Sequence, residues 1–380
     1  MRRRLPLTTV TSSSMSDGEA LVRAGVQNPG ARSLARHTTL RLGGAATELV
    51  VAGTAEELVE RVRAADEAGR RLLVLGGGSN LVVADEGFDG LVVRVATSGL
   101  RYETGPDDTV LLTAEAGEDW DAVVADTVRR GLGGLECLSG IPGSTGATPV
   151  QNVGAYGTEI SERLVSVDLL DRARGEVRTA PAEELGLRYR GSVLKHTDTA
   201  VVLRVRLRLS ADGLSDPVRY GELARTLGVE VGRRVPVARV REAVLGLRRG
   251  KGMVLDPDDH DTWSAGSFFT NPIVEDERWP TVRGRIEQRV GEHVPGYELP
   301  GGGTKLSAAW LIERAGFTKG YPGPGGRVGL STKHTLALTN RGTASTADLL
   351  ALASEVRAGV ARAFGVSLEP EPVLLDCLLR

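Results

Sequence analysis

Three side chains of unlike chemistry stand out because of the turn residues around them. Ser267 follows a glycine in Ser264-Ala-Gly-Ser-Phe-Phe-Thr-Asn-Pro272, which sets a hydroxyl, an aromatic pair and an amide ahead of a proline. Arg190 lies in Tyr189-Arg-Gly-Ser192, and Glu371 ends Leu368-Glu-Pro-Glu371 near the C-terminus. A hydroxyl can pass a proton, and a guanidinium can hold a carboxylate through two parallel hydrogen bonds. Each also has an ordinary reading. A serine after glycine is commonly a turn hydroxyl, an arginine commonly pairs with a surface acid, and two carboxylates near a terminus can simply solvate it. No Gly-x-Ser-x-Gly elbow surrounds Ser267, so a hydrolase nucleophile is disfavoured.

Two glycine-rich loops offer a second kind of chemistry. Gly76-Gly77-Gly78-Ser79-Asn80 presents backbone N–H groups with little side chain in the way, a nest suited to a pyrophosphate, although three glycines alone also make a plain tight turn. The stretch from Gly140 to Gly157 is eighteen residues with five glycines and two prolines, long for a connector and too apolar for disorder. Loops of that kind are usually ordered by a ligand. Lysine is a quieter signal: the chain has only Lys195, Lys251, Lys305, Lys319 and Lys333 among 47 basic residues. A compact ammonium suits a diphosphate as a point charge, with chance a serious competitor at this count.

The elements that must position these groups follow from periodicity. Glu48–Ala52 and Arg71–Leu75 read as strands, and 55–68 as a helix with Leu58, Val62 and Ala65 on one face. After the first glycine loop come two β-branched runs around a turn, Leu81 to Val95, rather than a helix. A dinucleotide fingerprint of the Rossmann kind needs a helix there, so that fold is disfavoured. Further on, the pattern predicts helices over 120–130, 237–249, 306–315 and 347–364, strands over 165–170, 200–209 and 335–339, and a glycine-proline loop over 320–326.

Composition bounds the rest. A chain of 380 residues predicts two or three domains, and 41% hydrophobic with 25% charged residues is globular usage. A net charge of -2 gives no field to recruit nucleic acid or an anionic membrane, so neither is expected as a partner. No apolar run approaches the roughly 20 residues that span a bilayer. Residues 1–32 read as a disordered leader: Met1-Arg-Arg-Arg has the charge of a signal peptide but no sustained apolar stretch, and Met15 is an alternative start. Cys137 and Cys377 have no metal-ligand spacing; no metal is expected, and a reducing cytoplasm fits.

Taken in order and spacing, these motifs resemble the UDP-N-acetylenolpyruvoylglucosamine reductase family, from about Ser33 to the C-terminus. The resemblance implies an α+β flavoprotein. Its vanillyl-alcohol-oxidase (PCMH-like) FAD-binding domain would have two parts, 33–97 and 98–255, with the tail 366–380 returning to the second part and 256–365 forming a C-terminal α+β substrate domain. FAD would be gripped by Gly76, Gly77, Gly78, Ser79 and Asn80 at the pyrophosphate, and by Ile141, Pro142, Gly143, Ser144, Gly146, Ala147, Gly154 and Ala155 along the flavin. Attachment is expected to be noncovalent, since neither loop holds a histidine or cysteine. The implied reaction takes a hydride from NADPH and delivers it to the enolpyruvyl ether of UDP-N-acetylglucosamine, with Ser267 as proton donor and Arg190 and Glu371 stabilising the enol-like intermediate. Tyr156, Tyr220, Lys251, Asn271, Lys305 and His334 fall at substrate positions, and Tyr220 marks the branch with an extra loop. A monomer is expected. One departure stands out: where the family usually runs Glu-Val-Arg, Pro372 follows the glutamate here and the arginine is missing, which leaves the choice between Glu369 and Glu371 slightly open; position after Leu-Glu-Pro selects Glu371. A flavin oxidase and a noncatalytic FAD- or nucleotide-sugar-binding regulator remain alternatives at this point.

Overall fold

The computed structural model describes residues 29–291 and 294–380. Most of the expected leader lies outside the described residues; its last four, Pro29–Arg32, form a short 3-10 turn.

The first region is a βαβ layer. Strands β1 (Ala46–Ala52), β2 (Leu72–Leu75) and β4 (Phe88–Val95) form a parallel sheet in the order β1-β4-β2, while the short β3 (Leu81–Val83) stands apart. Helix α1 (Ala55–Glu67) begins where the Thr54 hydroxyl accepts from the Glu57 amide, and Glu56 and Glu57 favour its positive end. It buries Leu58, Val59, Val62 and Ala65 against the sheet. The two β-branched runs around Asp85–Gly87 do not pair with each other. The turn is pinned at Gly87, where an added Cβ would lie 1.9 Å from the Ala45 carbonyl, and β3 is left to pair elsewhere.

The second region is a five-stranded antiparallel sheet in the order β10-β9-β11-β6-β5, built from β5 (Leu100–Thr104), β6 (Thr109–Glu115), β9 (Leu164–Asp171), β10 (Glu176–Pro181) and β11 (Ala200–Ser210). Between β6 and β9 come helix α2 (Trp120–Arg129) and a small hairpin of β7 (Gly154–Ala155) with β8 (Thr158–Glu159). Trp120 anchors this core, fully buried with its indole N–H on the Leu138 carbonyl. Helices α3 (Gly221–Leu227) and α4 (Val237–Gly250) follow the sheet.

The third region packs α5 (Trp279–Val290), α6 (Ala308–Arg314) and α7 (Thr346–Phe364) with two small sheets, β12 (Ile273–Val274), β14 (Thr304–Leu306) and β13 (Gly296–Glu298) in one, and β15 (Val328–Leu330) with β16 (Leu338–Asn340) in the other. The aromatic pair Phe268 and Phe269 is buried in its core with Leu311, Leu349 and Phe364. Burial of one such ring contributes about 1.5–3 kcal/mol, so this core fixes the turn that carries Ser267.

Three sequence expectations need correction. Leu306 ends strand β14 rather than starting a helix, because Ser307 caps α6 by accepting from the Trp310 amide. Residues 335–337 turn before β16 begins at Leu338. The tail does not add a strand to the second region: β17 (Val373–Leu375) pairs in parallel with β3 of the first, whose three buried apolar residues had no other ladder to join.

Candidate active site

The two glycine loops lie against each other. A Cβ on Gly76 would fall 2.3 Å from the Ser144 hydroxyl oxygen, one on Gly77 2.5 Å from the Gly143 Cα, and one on Gly143 2.7 Å from the Ser79 hydroxyl oxygen. Gly78 has φ +58 and would meet the His37 carbonyl at 1.9 Å. The second loop is held to α2 and its flank: Trp120 N–H donates to Gly143, Thr145 N–H to Glu118 and Gly146 N–H to Ala116. Ile141 packs on the core of the second region, and Pro142 sits half-buried beside it.

Two cavities meet at Gly76. One, about 600 Å³, is basic and polar, lined by Arg36, Thr38, Thr39, Arg41 and Arg94. The other, about 250 Å³, is lined by Leu72, Val74, Ala116, Ala147, Val150 and Val201. An elongated ligand with an anionic centre and a flat apolar part fits this pair, and the bare backbone between them fits a pyrophosphate. The chain therefore carries a suitable cradle for FAD.

Beyond the loops, the charged groups converge. The Arg190 Nε lies 3.6 Å from Glu371 Oε1, and its Nη2 donates to the Gly154 carbonyl at 2.7 Å. Glu371 is held by its main chain, whose N–H donates to the Phe268 carbonyl at 2.9 Å, next to Ser267. Asn80 reaches the same place, donating to the Gln151 side chain at 2.8 Å and to the Glu371 carbonyl at 3.4 Å. Pro372 is accommodated because the flanking amides do the bonding: Glu371 N–H to Phe268 and Val373 N–H to Asn80. Glu369 points away, its side chain 67% exposed. Burial pushes the Glu371 carboxyl above its ordinary range, with Arg190 and then Lys195 pulling it back.

Ser267 follows Gly266, whose φ of +73 makes the turn. On either side the main chain is clamped, by Phe268 N–H to Leu336 and by the Thr39 hydroxyl to Ser264. Asp261 steadies the approach, accepting from the amide and hydroxyl of Thr332 and from Arg341.

A second cluster lies around Tyr156, at the tip of the β7–β8 hairpin with φ +51. Its ring meets Tyr220 edge-on with centroids 5.6 Å apart, and the Lys251 ammonium is 5.9 Å from its centroid. Lys251 also pairs with Glu222 at 2.6 Å. Burial pushes the Tyr156 phenol up to about 12. His334 is pushed down to about 4, first by burial and then by Lys251 and Lys319, so it stands neutral among cations. Two predicted positions are engaged differently. Asn271 Oδ1 accepts from the Ala308 amide at the start of α6, and the Lys305 ammonium sits 3.5 Å above the Tyr189 ring.

Sequence reasoning missed two residues here. Arg248 donates to the Gly140 and Met253 carbonyls while its buried Nε has no partner, and it adds a further cation beside Tyr156 and His334. In an arginine-rich chain nothing marked it. Asn152, with φ +47, bonds Glu159, the Arg188 carbonyl and the Ser161 amide, tying the hairpin to the Arg190 turn. Asparagine's tolerance of left-handed backbone was the available signal.

Comparison with known proteins now decides the family. The model for the C-terminal domain of UDP-N-acetylenolpyruvoylglucosamine reductase matches residues 256–375, and that for an FAD binding domain matches 46–181. The reductase of Saccharopolyspora erythraea is 71% identical over 96% of this chain and all of its own length. The chain belongs to the UDP-N-acetylenolpyruvoylglucosamine reductase family. The Nocardia farcinica member is 62% identical over 91% of this chain and 89% of its own. Among solved structures, the Thermus caldophilus reductase superposes with a TM-score of 0.60 at 28% identity, covering 90% of this chain and 97% of that one. The family fold is accordingly α+β, a two-part FAD-binding domain with a C-terminal α+β domain.

Proposed function

We propose that Ser267, Arg190 and Glu371 carry out the substrate half of the family's reaction, the FAD-dependent reduction of UDP-N-acetylglucosamine enolpyruvate to UDP-N-acetylmuramate with NADPH in peptidoglycan precursor synthesis. FAD, held by the Gly76–Asn80 loop and the loop from Ile141 to Ala155, would supply the hydride chemistry between NADPH and the enolpyruvyl group. Arg190 holds the substrate carboxylate and offers fixed positive charge to the enolate that develops beside it. Glu371, buried and 3.6 Å from the Arg190 guanidinium, stands on the same side of the substrate and helps stabilise the enol-like intermediate. Ser267 donates the proton to C2. Arg248 and Lys251 supply positive charge for the diphosphate, with the neutral His334 beside them and Tyr156 and Tyr220 packed edge-on nearby. The observation that supports the reading is the main-chain bond from the Glu371 N–H to the Phe268 carbonyl, which ties the residue whose carboxylate faces Arg190 to the turn that carries Ser267.

A cytoplasmic setting belongs to the same proposal and is supported by the NADPH and nucleotide-sugar substrates it names. No described helix is long and apolar enough to cross a membrane. Anaerobic addition of NADPH to the purified protein, followed by the enolpyruvyl substrate, tests the function. Bleaching by the first and return of colour with the second are expected. Rapid reoxidation by oxygen in place of substrate would favour an oxidase.

A further inference from the structure

Arg190 occupies an unusual place for a charged, bulky residue. Arg188 and Gly191 exchange both main-chain hydrogen bonds, so Tyr189 and Arg190 form a two-residue turn, and Arg190 takes φ +52. Glycine or asparagine is the usual occupant of such a position, and a longer side chain there strains the backbone. Something must hold the strained tip, whose carbonyl needs a donor away from bulk water.

Lys195 meets that need. Its Nζ donates to the Arg190 carbonyl at 2.9 Å, reaching back from the end of a turn in which the Ser192 hydroxyl donates to Val150 and accepts from the Leu194 amide. The ammonium also lies within electrostatic reach of the Glu371 carboxylate and the Arg190 guanidinium. It is one of only five lysines in the chain.

We propose that Lys195 is a positioning residue for the reduction, capping the Arg190 main chain so that its guanidinium stays on Glu371 and adding a second fixed positive charge toward that carboxylate. The inference rests on the functional reading above, in which Arg190 and Glu371 act on the enol intermediate. The groups facing Glu371 are Arg190 and Lys195; those facing Lys195 are Glu371, Arg190 and Arg188, with His196 alongside. Burial lowers the Lys195 ammonium, and Glu371 raises it. Since Lys195 draws the Glu371 carboxyl downward, removing the charge must move that carboxyl upward.

Lys195→Gln keeps a donor for the carbonyl and loses the charge; Lys195→Met loses both. Both variants and the wild type, loaded with FAD, are compared in each half-reaction by stopped flow from pH 5 to 9, with thermal midpoints alongside. In Lys195→Met, flavin reoxidation by UDP-N-acetylglucosamine enolpyruvate is expected to slow on the order of a hundred-fold, while reduction by NADPH stays within about two-fold. The pH midpoint of the reoxidation step should rise in both variants, and Lys195→Gln should recover part of the rate, with Lys195→Arg recovering more. Unchanged reoxidation and an unmoved midpoint in Lys195→Met would overturn the proposal, as would equal losses in both half-reactions with a lowered thermal midpoint, the mark of a merely structural lysine. A wild type that fails to reoxidise with the enolpyruvyl substrate would instead remove the functional reading itself.

Discussion

The two walls of the candidate site are built on opposite principles. The wall from the second region, carrying Arg190 and Tyr156, places non-glycine residues in left-handed backbone at Asn152, Tyr156, Arg190 and His196. Side chains reaching for carbonyls, Arg190 to Gly154 and Lys195 to Arg190, keep it in shape. The facing wall, carrying Ser267, is laid down by main-chain bonds of Phe268, Thr270 and Glu371 over a buried aromatic pair, and its positive φ falls on Gly266. The proposed carboxylate clamp, Arg190, is held in strained backbone, whereas the proposed proton donor, Ser267, follows a glycine that takes the positive φ.

The largest effect is expected at the relaxed wall. Ser267→Ala should leave flavin reduction by NADPH intact yet slow reoxidation by the enolpyruvyl substrate by roughly a thousand-fold or more, since the wall loses its proton donor and nothing else. Normal single-turnover rates in this variant would break the assignment. At the strained wall, Arg190→Lys should cost about a hundred- to a thousand-fold in the same step, because one ammonium cannot reproduce a forked contact. Retained turnover with near-native rates would show that the aimed geometry is dispensable. Glu371→Gln should slow reoxidation by about a hundred-fold, and Glu369→Gln, on an exposed side chain, by no more than about two-fold. A larger defect in the Glu369 variant would reverse their roles.

Stability measurements sharpen the contrast further. Burial pushes the Asp261 carboxyl upward, but Thr332 and Arg341 outweigh it and hold the group below its ordinary value. Its contribution is therefore complete above the ordinary carboxylate range and fades as pH falls through the lowered value. Asp261→Asn should cost about 2 kcal/mol near neutrality and flatten the acid side of a plot of denaturant midpoint against pH. An equally steep acid limb in the variant would place the effect elsewhere. The smallest change belongs to His196, exposed with φ +59: glycine there should stabilise the protein by about 1 kcal/mol, and a loss in urea midpoint would mean the strained wall is not strained at that point.

Much of this was open to reading in the sequence because local rules and the fold agree. Helix α1 has its cap, its acidic first turn and its apolar stripe in plain view, and the β-branched runs after Gly78 disfavoured the Rossmann alternative. The family, the flavin and the α+β class follow from motifs whose glycines leave no room for side chains. Helix α5 was hidden by its weak apolar stripe, with only Val282 and Ile286 buried. Edge strands β5 and β10 alternate poorly, since most of their residues face solvent. Within the site, periodicity says nothing about which groups meet. The contact of Asn271 with α6, the seat of Lys305 on Tyr189 and the unpartnered Arg248 Nε arise from tertiary packing alone.

The parallel pairing of β3 with β17 has a consequence for how the chain is made. Synthesis proceeds from the N-terminus at about 5–20 residues per second, so β3 leaves the ribosome roughly tens of seconds before its partner exists. During that interval an apolar strand has an open edge, the kind of surface that captures other chains or draws a chaperone. The residue just ahead of that partner strand is separated from it by only Pro372, and it is Glu371. Closing the seam and bringing Glu371 to Arg190 are thus one event, so a nascent or truncated chain can hold both glycine loops and still leave that guanidinium without its carboxylate.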